Sequence, residues 1–382
     1  MAVERKLVRL TEEDLTLGEP LKFSVYDRHG TLLLRKGVVL GIPAQLERLL
    51  QEGSYLDFNE QAEPEQKAVA ARPPTFLRAE EFCTKLKNLF VKILRLPDQI
   101  DIAQKTAELA ADIEQACEDD YISLVAALHV DTAAPYLAIH QVFGAVLTGI
   151  VAKRAELPLK ERISLICAAL TRDIGQAQIQ HEIDKVQGPL PDALKAQVQN
   201  HPRKSMEILC AGRVMDPIWL KAIEQHHERM DGTGYQAKLS ADKIGRGGRL
   251  LCVCDTYSAM VKPRPYRTQG KANFTQLALR EIFTHSGSTM DKELSTHLIK
   301  AIGIVPPGSI VKLKCGEIAI VKDFAANIND ANVYSLYNKD QMPIIEPPIR
   351  KTSTPGFEVV GMAHYSECRS AQMIIRSLWL RN

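Results

Sequence analysis

The stretch that decides the fold is His226-His227-Glu228-Arg229-Met230-Asp231-Gly232-Thr233-Gly234-Tyr235. Two adjacent imidazoles end an apolar helical pattern and are followed at once by an acidic turn with two glycines. Neutral imidazole is the commonest metal ligand among side chains. Gly232 and Gly234 are expected to supply turn conformations with positive φ. We therefore expect a helix to end here in part of a metal site.

Helical periodicity extends outward from this stretch through most of residues 76–300. Strand-type alternation is confined to the two ends of the chain, where hairpins are predicted at 21–37, around Asp27-Arg28-His29-Gly30, and at 309–321. Residues 59–74 are rich in Glu, Gln, Ala and Pro and lack apolar periodicity, which is typical of a linker. Helices are expected at about 119–129, 135–154, 160–172, 191–210, 216–227, 247–260 and 271–285.

The sequence thus predicts a mainly α protein, in which a central α-helical bundle is flanked by small β-rich parts. The expected boundaries are a β-rich N-terminal module with one helix at 44–50 (1–58), a linker (59–76), the helical domain (77–304) and a β-rich C-terminal extension (305–382). We expect the extension to close with a helix or strand at 366–380.

Composition limits the function classes. A chain of 382 residues with 45% apolar residues can build two or three cores, and a net charge of +2 argues against a DNA-binding surface. The first residues lack an apolar signal core, and no run approaches the roughly 18 to 20 apolar residues of a spanning helix. We therefore expect a cytoplasmic protein without a membrane span, in which the eight scattered cysteines are reduced.

Side chains able to bind metal are spread over several predicted helices. Nitrogen and carboxylate donors suit Fe, Mn, Zn or Ni, and helical bundles build such sites in their cores. Singly, His140 could be a hydrogen-bonded core residue and His201 a residue at a helix N-terminus. Asp255 follows an apolar run, so its carboxylate needs a cation or donors. The candidates are His140, Asp173, His201, His226, His227 and Asp255.

Their order and spacing closely resemble the HD-GYP family of the HD superfamily of metal-dependent phosphohydrolases, over residues 135–300. The resemblance is carried by Arg172-Asp173, His201-Pro202, the double His stretch, Asp255 and Arg264-Pro265-Tyr266-Arg267. It implies a helical domain with two or three ions, commonly iron or manganese, that hydrolyses the bacterial messenger cyclic di-GMP. It also implies that Asp173 is catalytic, that the six candidates above are metal ligands, and that Arg264, Arg267 and Tyr235 bind substrate.

The chain departs from the family pattern at four positions. Arg172 replaces the His of the His-Asp pair, and Gln176 replaces a Lys that contacts phosphate. Tyr136 replaces an acid found in members with an extra metal, and Gln236 replaces the Pro of Gly-Tyr-Pro. Arginine stays protonated and has no lone pair to donate, so one ligand is lost.

A hypothesis follows for Arg172. Its guanidinium is expected to pair with Asp173 and Asp255 in place of an ion. His201, His226 and His227, with Asp173, would remain to hold one ion. The cofactor expectation is therefore one or two divalent ions of Fe, Mn, Zn or Ni, or none.

Three functions stay open at this point, and with them the question of whether the chain is an enzyme. The favoured one is a divergent HD-GYP protein with hydrolysis lost or impaired, which binds cyclic di-GMP, a related phosphate ester, or a diguanylate cyclase-type protein partner. The alternative is an active phosphodiesterase with a reduced metal site. The third is a structural adaptor held by its β-rich ends.

Overall fold

The computed structural model describes residues 7–11, 14–15, 21–38, 47, 49–50, 55–57, 74–131, 133–262, 275–324 and 330–380. The chain separates into two compact units, Met1–Arg72 and Pro73–Asn382. Most of the expected linker at 59–76 and of the expected helix at 44–50 lies outside the described residues.

The first unit contains a four-stranded antiparallel sheet in the order β1-β4-β2-β3. Val25 pairs with Leu34, which confirms the hairpin predicted at 21–37. The turn closes because the Asp27 carboxylate accepts hydrogen bonds from the amides of His29 and Thr31. The strands are β1 (Leu7–Arg9), β2 (Val25–Tyr26), β3 (Leu32–Leu34) and β4 (Tyr55–Asp57).

The second unit is mainly helical, which confirms the predicted fold class. A 3₁₀ turn at Ile174–Gln176 follows the fourth helix. Its α-helices are α1 (Thr75–Arg95), α2 (Ile102–Val130), α3 (Tyr136–Arg154), α4 (Leu159–Thr171), α5 (Gln180–Lys185), α6 (Asp192–Gln199), α7 (His201–Ala211), α8 (Pro217–Gln225), α9 (Arg246–Val261), α10 (Thr275–His285), α11 (Lys292–Ile302) and α12 (Gln372–Leu378).

The single helix expected at 191–210 is two helices, α6 and α7. Pro202 explains the break, because proline has no amide hydrogen and its ring clashes with the carbonyl four residues earlier, that of Val198. Pro202 is tolerated in the first turn of α7, where no such bond is needed. The break places His201 at the start of α7.

The central element of the unit is α3, which is buried along almost its whole length. By length and composition this helix could cross a membrane, whereas no run of that kind was expected from the sequence. Because 83% of its apolar window is buried inside the protein, α3 is accounted for as a core helix. It packs against α4, α9 and α2, so the side chains of those helices meet around it.

The C-terminal residues form a five-stranded antiparallel sheet in the order β8-β7-β6-β5-β9, followed by α12. Ile310 pairs with Ile320, which confirms the hairpin predicted at 309–321. One face of the sheet joins the helical core through Ile310 and Ile320, and the other holds a separate apolar cluster around Val311 and Val321. The strands are β5 (Ile310–Leu313), β6 (Ile318–Phe324), β7 (Ala331–Tyr337), β8 (Ile349–Lys351) and β9 (Val359–Ala363).

Candidate metal centre

Three histidines from two helix ends converge on one point. The Nε2 atom of His201 lies 3.2 Å from Nε2 of His226 and 3.3 Å from Nε2 of His227. Asp173 Oδ1 lies 3.0 Å from His201 Nε2 and 3.7 Å from His226 Nε2. Neighbouring ligands of one ion with metal–nitrogen distances of about 2.1 Å are about 3 Å apart at a right angle. The spacing therefore fits one transition-metal ion.

The backbone fixes which nitrogens face this point. His201 Nδ1 lies 2.6 Å from the Val198 carbonyl, and His226 Nδ1 lies 2.6 Å from the Ile223 carbonyl. A carbonyl can only accept, so each Nδ1 carries the proton and each Nε2 of the neutral ring presents a lone pair. The Val198 carbonyl receives no helical hydrogen bond from residue 202, because Pro202 has no amide hydrogen, and it can therefore accept from His201. Converging lone pairs repel unless a cation lies between them, so the donor set suits a metal.

His227 completes this histidine set from the partly exposed side. Its ring stacks on Tyr235 with centroids 4.5 Å apart. Burial, together with the neighbouring His226 and His201, holds the pKa of His227 well below its ordinary value. The ring is therefore neutral at physiological pH, as a metal ligand must be.

A second donor set lies on the other side of Asp173. His140 Nε2 lies 3.0 Å from Asp255 Oδ1 and 3.5 Å from Asp173 Oδ2. Asp173 thus turns one carboxylate oxygen toward each set. All six residues proposed from the sequence as ligands are brought together in these two groups, His201–His226–His227 and His140–Asp173–Asp255.

The guanidinium of Arg172 lies within the second set. Its Nε donates to Asp255 Oδ1 at 3.0 Å, and its Nη2 lies 3.1 Å from His140 Nε2. The distance from Nε to Asp173 Oδ2 is 4.0 Å, so the pairing expected with both carboxylates is close for Asp255 and marginal for Asp173. Arg172 also donates to the carbonyls of Ala169 and His140, and it is only 1% exposed.

Room for this guanidinium comes from Gly144 on α3. A Cβ atom at Gly144 would lie 2.7 Å from Arg172 Nη1 and 3.0 Å from its Cζ, closer than carbon and nitrogen can approach. Ser258, one turn after Asp255, places its Oγ 3.0 Å from His140 Nδ1 and orients that ring. Neither residue was predicted from the sequence to lie at the site, because a small residue on a buried helix gives no sign of what it faces.

The two carboxylates of the second set have a buried cation, Arg172, beside them. Burial raises the pKa of Asp173 and of Asp255, but the Arg172 guanidinium and the neighbouring histidines outweigh burial and hold both pKa values well below the ordinary range. Both carboxylates are therefore ionised, with Arg172 as their buried counter-charge.

The two sets open into a cavity of about 460 Å³. Three of its polar lining residues, Lys195, Gln199 and Arg229, were not proposed from the sequence as site residues. A lysine on a short polar helix has no feature that distinguishes it from any solvent-facing lysine. Tyr235 lines the cavity as expected, whereas Arg264 and Arg267 lie outside the described residues.

The turn after the double His differs in one respect from expectation. Gly232 has φ +79°, as predicted, but Gly234 does not have positive φ, so that prediction was wrong. Gly234 is required instead by close approach, since a Cβ there would lie 2.6 Å from the Arg229 nitrogen. The turn is held by Glu228, whose carboxylate accepts from the amides of Ala237 and Leu239 at 2.8 Å each.

Comparisons with known proteins agree with this geometry. Residues 128–294 match the family described as HD domain. The chain is 27% identical over 312 residues to cyclic di-GMP phosphodiesterase PA4108 of Pseudomonas aeruginosa, covering 75% of this chain and 74% of that protein. It is 26% identical over 282 residues to 3'3'-cGAMP-specific phosphodiesterase 3 of Vibrio cholerae, covering 71% and 59%.

Among solved structures, Bd1817, an HDG"Y"P protein from Bdellovibrio bacteriovorus, aligns with a TM-score of 0.49 and 15% identity over 77% of this chain and 99% of that chain. The match to the HD domain and the similarity to the two phosphodiesterases agree with the motif order read from the sequence. Residues 128–294 therefore form an HD domain, and its motif order resembles that of HD-GYP proteins, with Arg172-Asp173 in place of His-Asp.

Proposed function

We propose that this protein is a divergent HD-GYP member of bacterial cyclic di-GMP signalling whose hydrolysis is lost or impaired, and that it acts by binding the nucleotide or a partner protein. The observation that carries the proposal is the buried guanidinium of Arg172, 3.0 Å from Asp255 and 3.1 Å from His140. It lies among the donors that a second ion would need.

Electrostatics favours the arginine over that ion. Two unit charges about 4 Å apart repel by about 4 kcal/mol at an effective dielectric constant near 20, and a divalent ion doubles the effect. Arg172 cannot lose its proton to relieve the repulsion, and it offers no lone pair in return. A two-metal arrangement at Asp173 therefore meets both a missing ligand and a fixed positive charge.

Binding can outlast hydrolysis because it requires the cavity and not the second ion. Relatives are described as acting on cyclic di-GMP and on 3'3'-cGAMP, both cyclic dinucleotides. The cavity beside the centre combines apolar side chains, such as Leu190 and Met260, with the polar Tyr235 and Gln199. Such a mixture suits bases and phosphates together. The resemblance also supports the turn at 231–235 as a contact for a diguanylate cyclase-type partner.

The second candidate function is a working phosphodiesterase with a reduced metal site. It is favoured by the intact donor set of His201, His226 and His227 with Asp173 Oδ1, whose spacing fits one ion. A divalent ion held there would neutralise phosphate charge and lower the pKa of a bound water. Iron, manganese, zinc and nickel all suit these donors.

Two measurements on the full chain separate the candidates. The first is elemental analysis of protein purified without chelator, for which we expect no more than one equivalent of metal. The second is incubation with cyclic di-GMP and Mn²⁺ or Fe²⁺ under reducing conditions, for which we expect binding without turnover. Turnover that disappears in Asp173→Ala would overthrow the proposal in favour of the working enzyme. Binding without turnover would also exclude a purely structural adaptor.

A restoration experiment tests the cause assigned to Arg172. The double variant Arg172→His, Gln176→Lys returns both positions to the family pattern. We expect it to hold at least one more equivalent of metal than the parent and to gain measurable turnover. A double variant that folds but gains neither would mean that the loss has another origin.

A further inference from the structure

Gln176, a polar residue next to the candidate metal ligands, uses its side-chain amide in a hydrogen bond within the protein. Gln176 lies at the position where the resemblance implies a phosphate-binding Lys, and it is 7% exposed. Its Nε2 donates to Gln180 Oε1 at 2.8 Å, and Gln180 in turn donates to Asp184. One of the two amide hydrogens of Gln176 is therefore used in the bond to Gln180, and the uncharged side chain supplies no cation for a phosphate.

A cation enters the same cavity from a different element, α6. Lys195, Val198 and Gln199 have the i, i+3, i+4 spacing of one helix face, and all three line the cavity. The neighbouring Leu194 is buried in a small apolar cluster with Ile179 and Ile183. That cluster fixes the rotation of α6 and so directs the face carrying Lys195 toward the cavity.

The charge of Lys195 is available to a ligand. Within the part of the chain that the structure describes, the Lys195 ammonium has no ion pair or hydrogen bond, and its side chain is exposed at the cavity mouth. The carboxylates of Asp173 and Asp255 already have Arg172 and histidines as partners. They therefore do not compete strongly for the Lys195 charge.

Arg229 adds a second cation to the same cavity. Its Nη1 contacts the Cys252 sulfur at 2.9 Å, and it has no carboxylate within ion-pair distance among the described residues. Burial raises the pKa of the Cys252 thiol to about 11, so the group that holds Arg229 is uncharged. Lys195 and Arg229 thus bring two cations to the lining of the cavity, and Arg172 lies beside its carboxylates Asp173 and Asp255.

We propose that Lys195, assisted by Arg229, is the anion-binding residue of this cavity, and that it gives the protein affinity for a phosphate diester without a metal ion. This rests on the proposed function in naming the ligand, but the role of Lys195 depends only on a phosphate group. An ammonium and a guanidinium are the side chains that bind phosphate through charge-assisted hydrogen bonds. In this proposal the phosphate-binding cation is Lys195 on α6, and the position in the 3₁₀ turn after α4 carries the uncharged Gln176.

The test is calorimetric titration of the full chain with cyclic di-GMP, and separately with inorganic pyrophosphate, in buffer containing EDTA. The variants are Lys195→Gln, Lys195→Arg, and Lys300→Gln as a matched control from an exposed position on α11. We expect Lys195→Gln to weaken binding of both probes by about tenfold or more, the lower end of the effect of one hydrogen bond to a charged group. Lys195→Arg and Lys300→Gln should stay within about twofold, since charge is kept in one and lies outside the cavity in the other.

The outcomes separate this inference from the proposed function. If the wild type binds both probes and Lys195→Gln binds them equally well, the assignment of Lys195 is overturned while nucleotide binding stands. If only pyrophosphate binds, and Lys195→Gln weakens it, Lys195 is upheld and the dinucleotide is rejected as ligand. If neither probe binds until Mn²⁺ replaces EDTA, the metal-independent affinity proposed here is wrong. If neither probe binds with EDTA or with Mn²⁺, both the inference and nucleotide binding are overturned.

Discussion

The variant Arg172→His exchanges a built-in cation for a potential metal ligand, and its stability should therefore depend on metal. Asp173 and Asp255 are 6% and 9% exposed, and Arg172 is their buried counter-charge. Removing one partner of a buried ion pair typically costs about 3 to 5 kcal/mol. We expect Arg172→His in EDTA to lose stability of that order relative to the wild type, reduced to the extent that the carboxylates take up protons.

Added metal should restore much of the free energy of unfolding that Arg172→His loses. An ion that binds only the folded state stabilises it by about 2.7 kcal/mol at a concentration 100 times its dissociation constant. In the wild type only the histidine set contains no arginine, whereas in Arg172→His neither donor set contains one. We therefore expect Mn²⁺ to raise the free energy of unfolding of the variant by about 2 to 3 kcal/mol more than that of the wild type.

Urea denaturation followed by tryptophan fluorescence measures this directly. The chain has two tryptophans, Trp219 and Trp379, and both lie in the second unit, so the signal reports on the unit that holds the centre. The matched control is Arg203→His, an exposed arginine paired with Glu207, which should change stability by no more than about 0.5 kcal/mol. Equal stability of Arg172→His and wild type in EDTA would refute the view that Arg172 compensates the carboxylates.

Three further predictions concern the surroundings of the centre. Gly144→Ala should destabilise the wild type by about 1 to 3 kcal/mol because its Cβ would overlap the Arg172 guanidinium, and it should destabilise Arg172→His much less. If urea unfolding shows that the effects of the two substitutions simply add in the double variant, this overlap is contradicted. Gln236 has φ +97°, which proline cannot adopt, so Gln236→Pro should destabilise the protein by at least about 1 kcal/mol although it restores the family motif. Gln236→Gly should change stability by no more than about 1 kcal/mol. Thermal melting and amide exchange over residues 230–241 measure both variants, and a Gln236→Pro protein as stable as the wild type would count against the described turn. Burial lowers the pKa of His129 to about 3, so below about pH 6.5 the unfolded chain takes up a proton that the folded chain does not, and stability should fall with decreasing pH. In urea unfolding from pH 6.5 to 5, the free energy of unfolding should fall by about 1 kcal/mol per pH unit less in His129→Gln than in the wild type, and equal slopes would contradict burial of a neutral ring.

The sequence predicted the helical fold because amphipathic periodicity identifies the buried face of each helix. It also predicted six candidate ligand residues, since family motifs preserve residue types in order, and in the structure these six lie in two groups. What periodicity cannot reveal is which faces meet. That is why Gly144, which makes room for Arg172, and Lys195, which lines the cavity, were not anticipated.

The missed details have local causes. The helix expected at 191–210 is divided because a proline at position 202 cannot bond to the carbonyl of residue 198. The same break supplies the acceptor for His201. At Gln236, a residue-by-residue comparison suggests a simple loss of proline, but the backbone there has positive φ and the side chain donates to the Gln199 carbonyl at 2.7 Å. The turn has therefore changed conformation together with its sequence.

Asp173 contacts both donor sets, so Arg172 affects the histidine set as well as its own set. Its Oδ1 faces His201 at 3.0 Å and its Oδ2 faces the set that contains Arg172. A carboxylate shared between a guanidinium and an ion gives less of its charge to the ion. Arg172 should therefore weaken the ion of the histidine set as well as exclude the second one. A protein whose helices are joined by its own cation depends less on metal supply, and that independence suits a nucleotide-binding role better than metal-assisted hydrolysis.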